Sequence, residues 1–267
     1  MKPKELLVFY VKGLLMGIAD IIPGVSGGTI ALITGIYERF IFAIKSIRPT
    51  SDLRKIDWGL LLPLGLGIAT SFLAMSMVMG FLLEAHTALV YAFFFGLILA
   101  SAGFICKHID AFHPKHLLAG SLGFLLSFLL VGLGVLEASH SLLFIFVSGA
   151  LAICAMMLPG ISGAFILLTL GQYEYMLDAL KTFRMAEIGI FLGGILVGLV
   201  TFSRVISYLL KNHEHPTLAF LTGLMLGGLR LPYERMAGGD SIPLMLLFLA
   251  LGAALVIVLE RKTRQLA

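Results

Sequence analysis

Residues 20–29 read "DIIPGVSGGT", and this stretch combines an acid, a proline, a serine, a threonine and three glycines within an apolar chain. The combination suits an anion. Pro23 has no N–H and clashes with the turn before it, so the preceding helix ends there. Ser26 is a residue type that caps a new helix. Gly27, Gly28 and Thr29 then open that helix, whose free N–H groups carry partial positive charge, and the glycines let an anion approach the backbone. The frame returns as "LPGISGAF" at 158–165, with Ser162 and Gly163 in the places of Ser26 and Gly27. Asp20, three residues before the break, is an ionisable group at a depth where charge is costly. It is a candidate for proton or cation coupling, for holding a basic partner, or for hydrogen bonding to the broken backbone. Its counterpart in the second stretch is Met156. Arg39 is a candidate partner for Asp20 or for an anionic headgroup. Arg204 has no basic counterpart, the matching region holding Ser76. It is a candidate to hold a phosphate, to pair with an acid or to snorkel toward its helix end. Glu38 and Glu174 are further coupling candidates. On a continuous helix they lie about 18 Å from Ser26 and Ser162, near a membrane surface beside Tyr37 and Tyr173.

The elements that must position these residues are membrane helices. The chain is 267 residues long, 59% hydrophobic and 13% charged, with a mean hydropathy of +1.03. Soluble domains carry about 25% charged residues. Ten apolar segments recur at roughly 5–21, 25–44, 58–83, 87–105, 116–136, 141–158, 161–180, 186–210, 216–231 and 241–260. Several approach the roughly 20 residues needed to span a hydrocarbon core. In lipid the backbone must satisfy itself, so these runs are helices, and the alternation of a β-barrel is absent. The N-terminal segment reads as part of the fold and not as a cleaved signal peptide, because Lys12 interrupts it and no small-residue cleavage site follows.

Other chemistries find little support. The pI near 9.1 comes from loop Lys and Arg, which is a topology signal and not a nucleic-acid surface. All seven histidines fall in or beside loops, and "HPKH" and "HEH" lack thiolate support for a metal. Cys106 and Cys154 read as small hydrophobes. No P-loop and no Ser–His–acid set is present, so no cofactor and no catalytic residue is assigned.

The two serine frames belong to an internal repeat. Residues 23–47 set above 159–183 give 11 identities in 25 positions without a gap: Pro, Gly, Ser and Gly at the break, then Ile30/Ile166, Leu32/Leu168, Gly35/Gly171, Tyr37/Tyr173, Glu38/Glu174, Ala43/Ala179 and Lys45/Lys181. The chain therefore divides into halves of about 1–136 and 137–267, with five segments each. An odd number of segments, or three crossings with a re-entrant hairpin, turns the second half upside down relative to the first. With the N-terminus inside, inside loops hold Lys2, Lys4, Lys45, Arg48, Arg54, Lys55, Lys107, Lys115, Lys211, Arg261, Lys262 and Arg264, against Lys181, Arg184, Arg230 and Arg235 outside. That bias of twelve to four puts both termini in the cytoplasm. The expected fold is all-α and polytopic: two inverted-topology repeats with broken or re-entrant hairpins at the PGxSG frames, an architecture of many secondary transporters.

"GIADIIPGVSGGTIALITGIYERFI" (17–41) and "LPGISGAFILLTLGQYEYML" (158–177) closely resemble the PopT-type polyprenyl-phosphate transporter family. The resemblance covers the whole chain. It implies a bacterial cytoplasmic-membrane translocase that returns undecaprenyl phosphate from the outer to the inner leaflet, recycling the lipid carrier of peptidoglycan and other surface polymers. The expected partners are that lipid, the bilayer and a coupling proton. Paired helix starts suit a monophosphate, and the isoprenoid tail must stay in lipid through a lateral opening, for which Phe93, Phe94, Phe95 and Gly96 are candidate borders. Undecaprenyl-diphosphate phosphatase is the enzymatic alternative. That family has a His after its first motif and an Arg within its second, whereas the stretches here read "PGVSGGT" and "PGISGAF". A secondary transporter of a small anion is the third reading.

Overall fold

The computed structural model describes residues 3–21, 25–47, 56–109, 113–132, 140–237 and 241–266. Pro23 and Gly24, expected to end the first segment, lie outside the described residues. Among the described residues the fold is all-helical, with thirteen helices: α1 (Pro3–Ile21), α2 (Gly27–Ile33), α3 (Tyr37–Lys45), α4 (Trp58–Ala85), α5 (Thr87–Cys106), α6 (Pro114–Gly132), α7 (Leu142–Met157), α8 (Gly163–Thr169), α9 (Tyr173–Lys181), α10 (Met185–Asn212), α11 (Glu214–Gly228), α12 (Arg230–Met236) and α13 (Ile242–Leu266).

The apolar segments of the sequence are visible in this order, but two of them are not single helices. Segment 25–44 breaks into α2 and α3, bent by 118°. Segment 161–180 breaks into α8 and α9 at the matching position. The cause is local. Gly35 and Gly171 take left-handed backbone angles, φ 70 and φ 62, which turn the chain after each short helix. Glu38 is therefore not 18 Å along one straight helix from Ser26, as a continuous segment would place it. Among the described residues, three helices, α5, α6 and α10, are long and apolar enough to cross a membrane, or four spans if the bent pair α2–α3 counts as one.

Helix lengths recur in order along the chain. α2 and α8 have 7 residues each, α3 and α9 have 9, and α4 and α10 have 28. Packing partners recur too. α1 lies along α4 and α7 lies along α10, while α6 packs on α11 and α5 packs on α13. Small residues make these close approaches, as expected where lipid supplies no hydrophobic drive between helices. Gly67 of α4 abuts the Tyr10 carbonyl of α1, and Gly194 of α10 abuts the Phe146 carbonyl of α7. Gly96 of α5 meets Leu249 of α13 in the same way, with Phe94 also buried. Those two residues are thus enclosed by helix packing and do not border an opening. The main core gathers α2, α3, α5 and α11, including Val25, Ile33, Ile41, Ile98, Leu221 and Leu224.

Candidate functional site

The two serine frames meet. Ser26 is fully buried and caps α2, its Oγ accepting from the Gly28 N–H at 3.1 Å. The same hydroxyl donates to the Leu158 carbonyl at 3.0 Å, with the Met156 carbonyl at 3.4 Å as the longer alternative. Thr29, also fully buried, accepts at Oγ1 from the Gly160 N–H at 3.2 Å. The Tyr37 hydroxyl donates to the Met157 carbonyl at 3.1 Å. The second break leaves backbone groups without helical partners, and side chains of the first frame satisfy them. Gly160 sits at φ 88 against the Met225 backbone, so a side chain there meets both strain and a wall.

Asp20 completes the start of α2. Its Oδ1 accepts from the Gly27 N–H at 2.7 Å, and the Thr29 N–H donates to the Ser26 carbonyl at 3.0 Å. The first three N–H groups of α2 thus all have protein partners. The face of Gly27 that lacks a side chain is filled by the Asp20 carboxylate. At the second frame Ser162 caps α8, accepting from the Phe165 N–H at 3.4 Å. Gly163 turns its open face to α7, where an added Cβ would lie 2.6 Å from the Ala152 carbonyl oxygen and 3.3 Å from Met156 Cβ. Both glycines therefore serve close packing against the preceding helix. The two frames differ in chemistry where the sequence differs, at Asp20 and Met156.

The remaining predicted residues lie apart from this junction. Arg39 pairs with Asp57 at 2.8 Å, not with Asp20, and its guanidinium lies 5.0 Å from the centre of the Phe9 ring. The bend after α2 carries it away from α1's C-terminal end. Arg204 is exposed on α10 and makes no ion pair or hydrogen bond among the described residues. Glu38 is exposed at the edge of a cavity of about 230 Å³ that Tyr37, His108 and Glu214 also line. Glu174 is exposed on α9. No group of three or more His, Cys, Asp or Glu able to hold a metal occurs among the described residues.

Two contributors were not legible as site residues. Tyr37, expected at an interface, is buried at 3% exposure because its ring points into the junction. Lys12 donates from Nζ to the Thr34 carbonyl at 2.7 Å, at the far end of α2 from Asp20. The available signal was spacing: Lys12 and Asp20, eight residues apart, are the charged residues of α1 after Glu5, against a seven-residue partner. A second feature is an apolar cavity of about 560 Å³ beside the α6–α11 pair, lined by Cys106 at the end of α5, by His116, Gly120 and Phe124 of α6, and by Thr222 and Leu226 of α11 among others.

The chain is 39% identical over 263 residues to a polyprenyl-phosphate transporter of Vibrio cholerae serotype O1, covering 91% of this chain and 85% of that protein. It is 33% identical over 237 residues to a polyprenyl-phosphate transporter of Staphylococcus aureus, covering 82% and 83%. No solved structure matches the chain significantly. The family model described as "VCA0040-like: Undecaprenyl phosphate translocase-like" matches residues 16–238, from just before Asp20 to beyond α12 and so across both serine frames. The chain belongs to this undecaprenyl phosphate translocase-like family.

Proposed function

We propose that the protein moves a polyprenyl phosphate, undecaprenyl phosphate or a close relative, from the outer to the inner leaflet of a bacterial cytoplasmic membrane, without chemistry on the lipid. One observation carries the reading: the two serine frames join at a single buried junction in a chain related over most of its length to two polyprenyl-phosphate transporters. The junction is the proposed headgroup site, formed by Ser26, Gly27, Gly28, Thr29, Ser162 and Gly163. Phosphate and the Asp20 carboxylate are alternative acceptors for the Gly27 N–H. A proton on Asp20 weakens its hold on that N–H and reduces its repulsion of the anionic headgroup, so proton binding and phosphate binding favour one another. The apolar cavity bordered by α5, α6 and α11 offers the isoprenoid tail a lateral path.

The recurring helix lengths and partners support a two-half architecture, 1–136 and 137–267, and the twelve-to-four basic bias supports inverted halves with both termini cytoplasmic. Cysteine labelling in a background lacking Cys106 and Cys154 tests this: probes at 2–4 and at 261–264 should react only from the cytoplasmic side. Reaction from outside overturns the orientation.

The function itself is tested in liposomes by following headgroup transfer and phosphate release on the same preparation. Transfer without release is expected. Release at the rate of transfer would make the protein a phosphatase, and uptake of a small anion without lipid transfer would make it an anion transporter.

A further inference from the structure

Asp20 and Lys12 both belong to α1, and they hold opposite ends of α2. Asp20 accepts from Gly27 at the start of α2, and Lys12 donates to the carbonyl of Thr34, which caps its end. Eight residues of α1 rise about 12 Å, and the seven residues of α2 span about 10.5 Å. One helix therefore presents an anion and a cation at the spacing of the other's two ends. The signs complement the dipole of α2: the acid faces its partly positive N-terminal end and the lysine its partly negative C-terminal end.

The molecule contains its own control. The turn after α8 repeats the backbone bonding of the turn after α2. Thr34, Gly35 and Ile36 donate to Ile30, Leu32 and Ala31; Leu170, Gly171 and Gln172 donate to Ile166, Leu168 and Leu167. With the turns alike, the difference lies on the preceding helix. Ser148 stands in the place of Lys12 and donates within its own helix, to the Phe144 carbonyl at 2.7 Å. Met156 stands in the place of Asp20. α8 thus has neither charged tie.

We propose that Lys12 is a positioning residue that pins the C-terminal end of α2, so that Asp20 can leave Gly27 while α2 stays in place, and that α8 is the mobile member of the two short helices. The effect on transport rests on the reading given under Proposed function; the effect on α2 does not.

Matched reporters test this in the full chain with Cys106 and Cys154 replaced by serine. Ile33→Cys reports on α2 and Thr169→Cys on the equivalent place in α8, both positions being buried. Maleimide labelling is followed on purified protein in lipid nanodiscs. Thr169→Cys should label faster than Ile33→Cys. Lys12→Met, which keeps the stem and removes the donor, should speed labelling of Ile33→Cys about tenfold, the scale of losing one charge-assisted hydrogen bond, and leave Thr169→Cys unchanged. Lys12→Arg should restore protection and, in liposomes, the transport lost in Lys12→Met. Unchanged protection of Ile33→Cys in Lys12→Met overturns the assignment, as does labelling of Thr169→Cys no faster than Ile33→Cys. If Lys12→Met does not fold, Lys12→Gln replaces it: partial loss of protection supports the tie and wild-type protection overturns it. If labelling behaves as expected while wild-type protein moves no polyprenyl phosphate, the tie stands and the transport reading falls.

Discussion

A leucine at Gly223 is expected to remove nearly all folded protein from the membrane, while a leucine at Gly65 leaves abundance unchanged. Gly223 lies on α11 directly against the backbone carbonyl of Gly120 on α6, and Gly227 lies in the same way against Phe124. An added side chain at 223 meets main chain and not the end of a flexible side chain, so relief requires parting the helices. α6 and α11 form one of the closest helix pairs in the molecule. Overpacking costs about 1–3 kcal/mol where side chains can yield, and more is expected where backbone must move. That is a large part of a typical net stability of about 5–15 kcal/mol. Gly65, by contrast, has open space where its side chain would be. The readout is the monodisperse peak of a fluorescent fusion on size-exclusion chromatography. Equal peaks for the two variants would mean that α6 and α11 do not pack through Gly223.

Asp20→Ala should cut transport about tenfold, whereas Asp20→Asn should keep a folded, lipid-binding protein whose rate no longer responds to a pH gradient. Alanine leaves the Gly27 N–H without its acceptor, and a buried unpaired donor costs about 1–3 kcal/mol. About 1.4 kcal/mol corresponds to a factor of ten. Asparagine keeps an oxygen for that N–H in nearly the same shape, but it cannot exchange a proton. Gly27→Leu should behave like Asp20→Ala, because its side chain would displace the carboxylate. Thermal stability separates a lost cap from lost coupling: the alanine variant should melt lower than wild type, and the asparagine variant close to it. An asparagine variant with wild-type rate and wild-type pH response would leave Asp20 as a helix cap alone, with the coupling site elsewhere.

Much of the fold follows from local properties that a sequence carries openly. Apolar composition makes the segments helical, since a backbone in lipid must bond to itself. Ser26 and Ser162 mark helix starts by their own short-range capping bonds. The repeated frame at 23–47 and 159–183 foreshadowed the matched short helices, because the same words produce the same local turns. What could not be read was who meets whom. The 118° bend at Gly35 is a backbone choice of one residue, yet it sends Arg39 to Asp57 and aims Tyr37 inward at Met157. Asp20 had several partners open to it, and only the folding back of α2 along α1 selected the Gly27 N–H and placed Lys12 at the other end. The junction of Ser26 and Thr29 with residues 156–160 spans about half the chain, and no local preference encodes a pairing at that separation. Tertiary packing decided it, because backbone groups freed by the second break need partners, and in a dry interior the first frame's hydroxyls are the ones within reach.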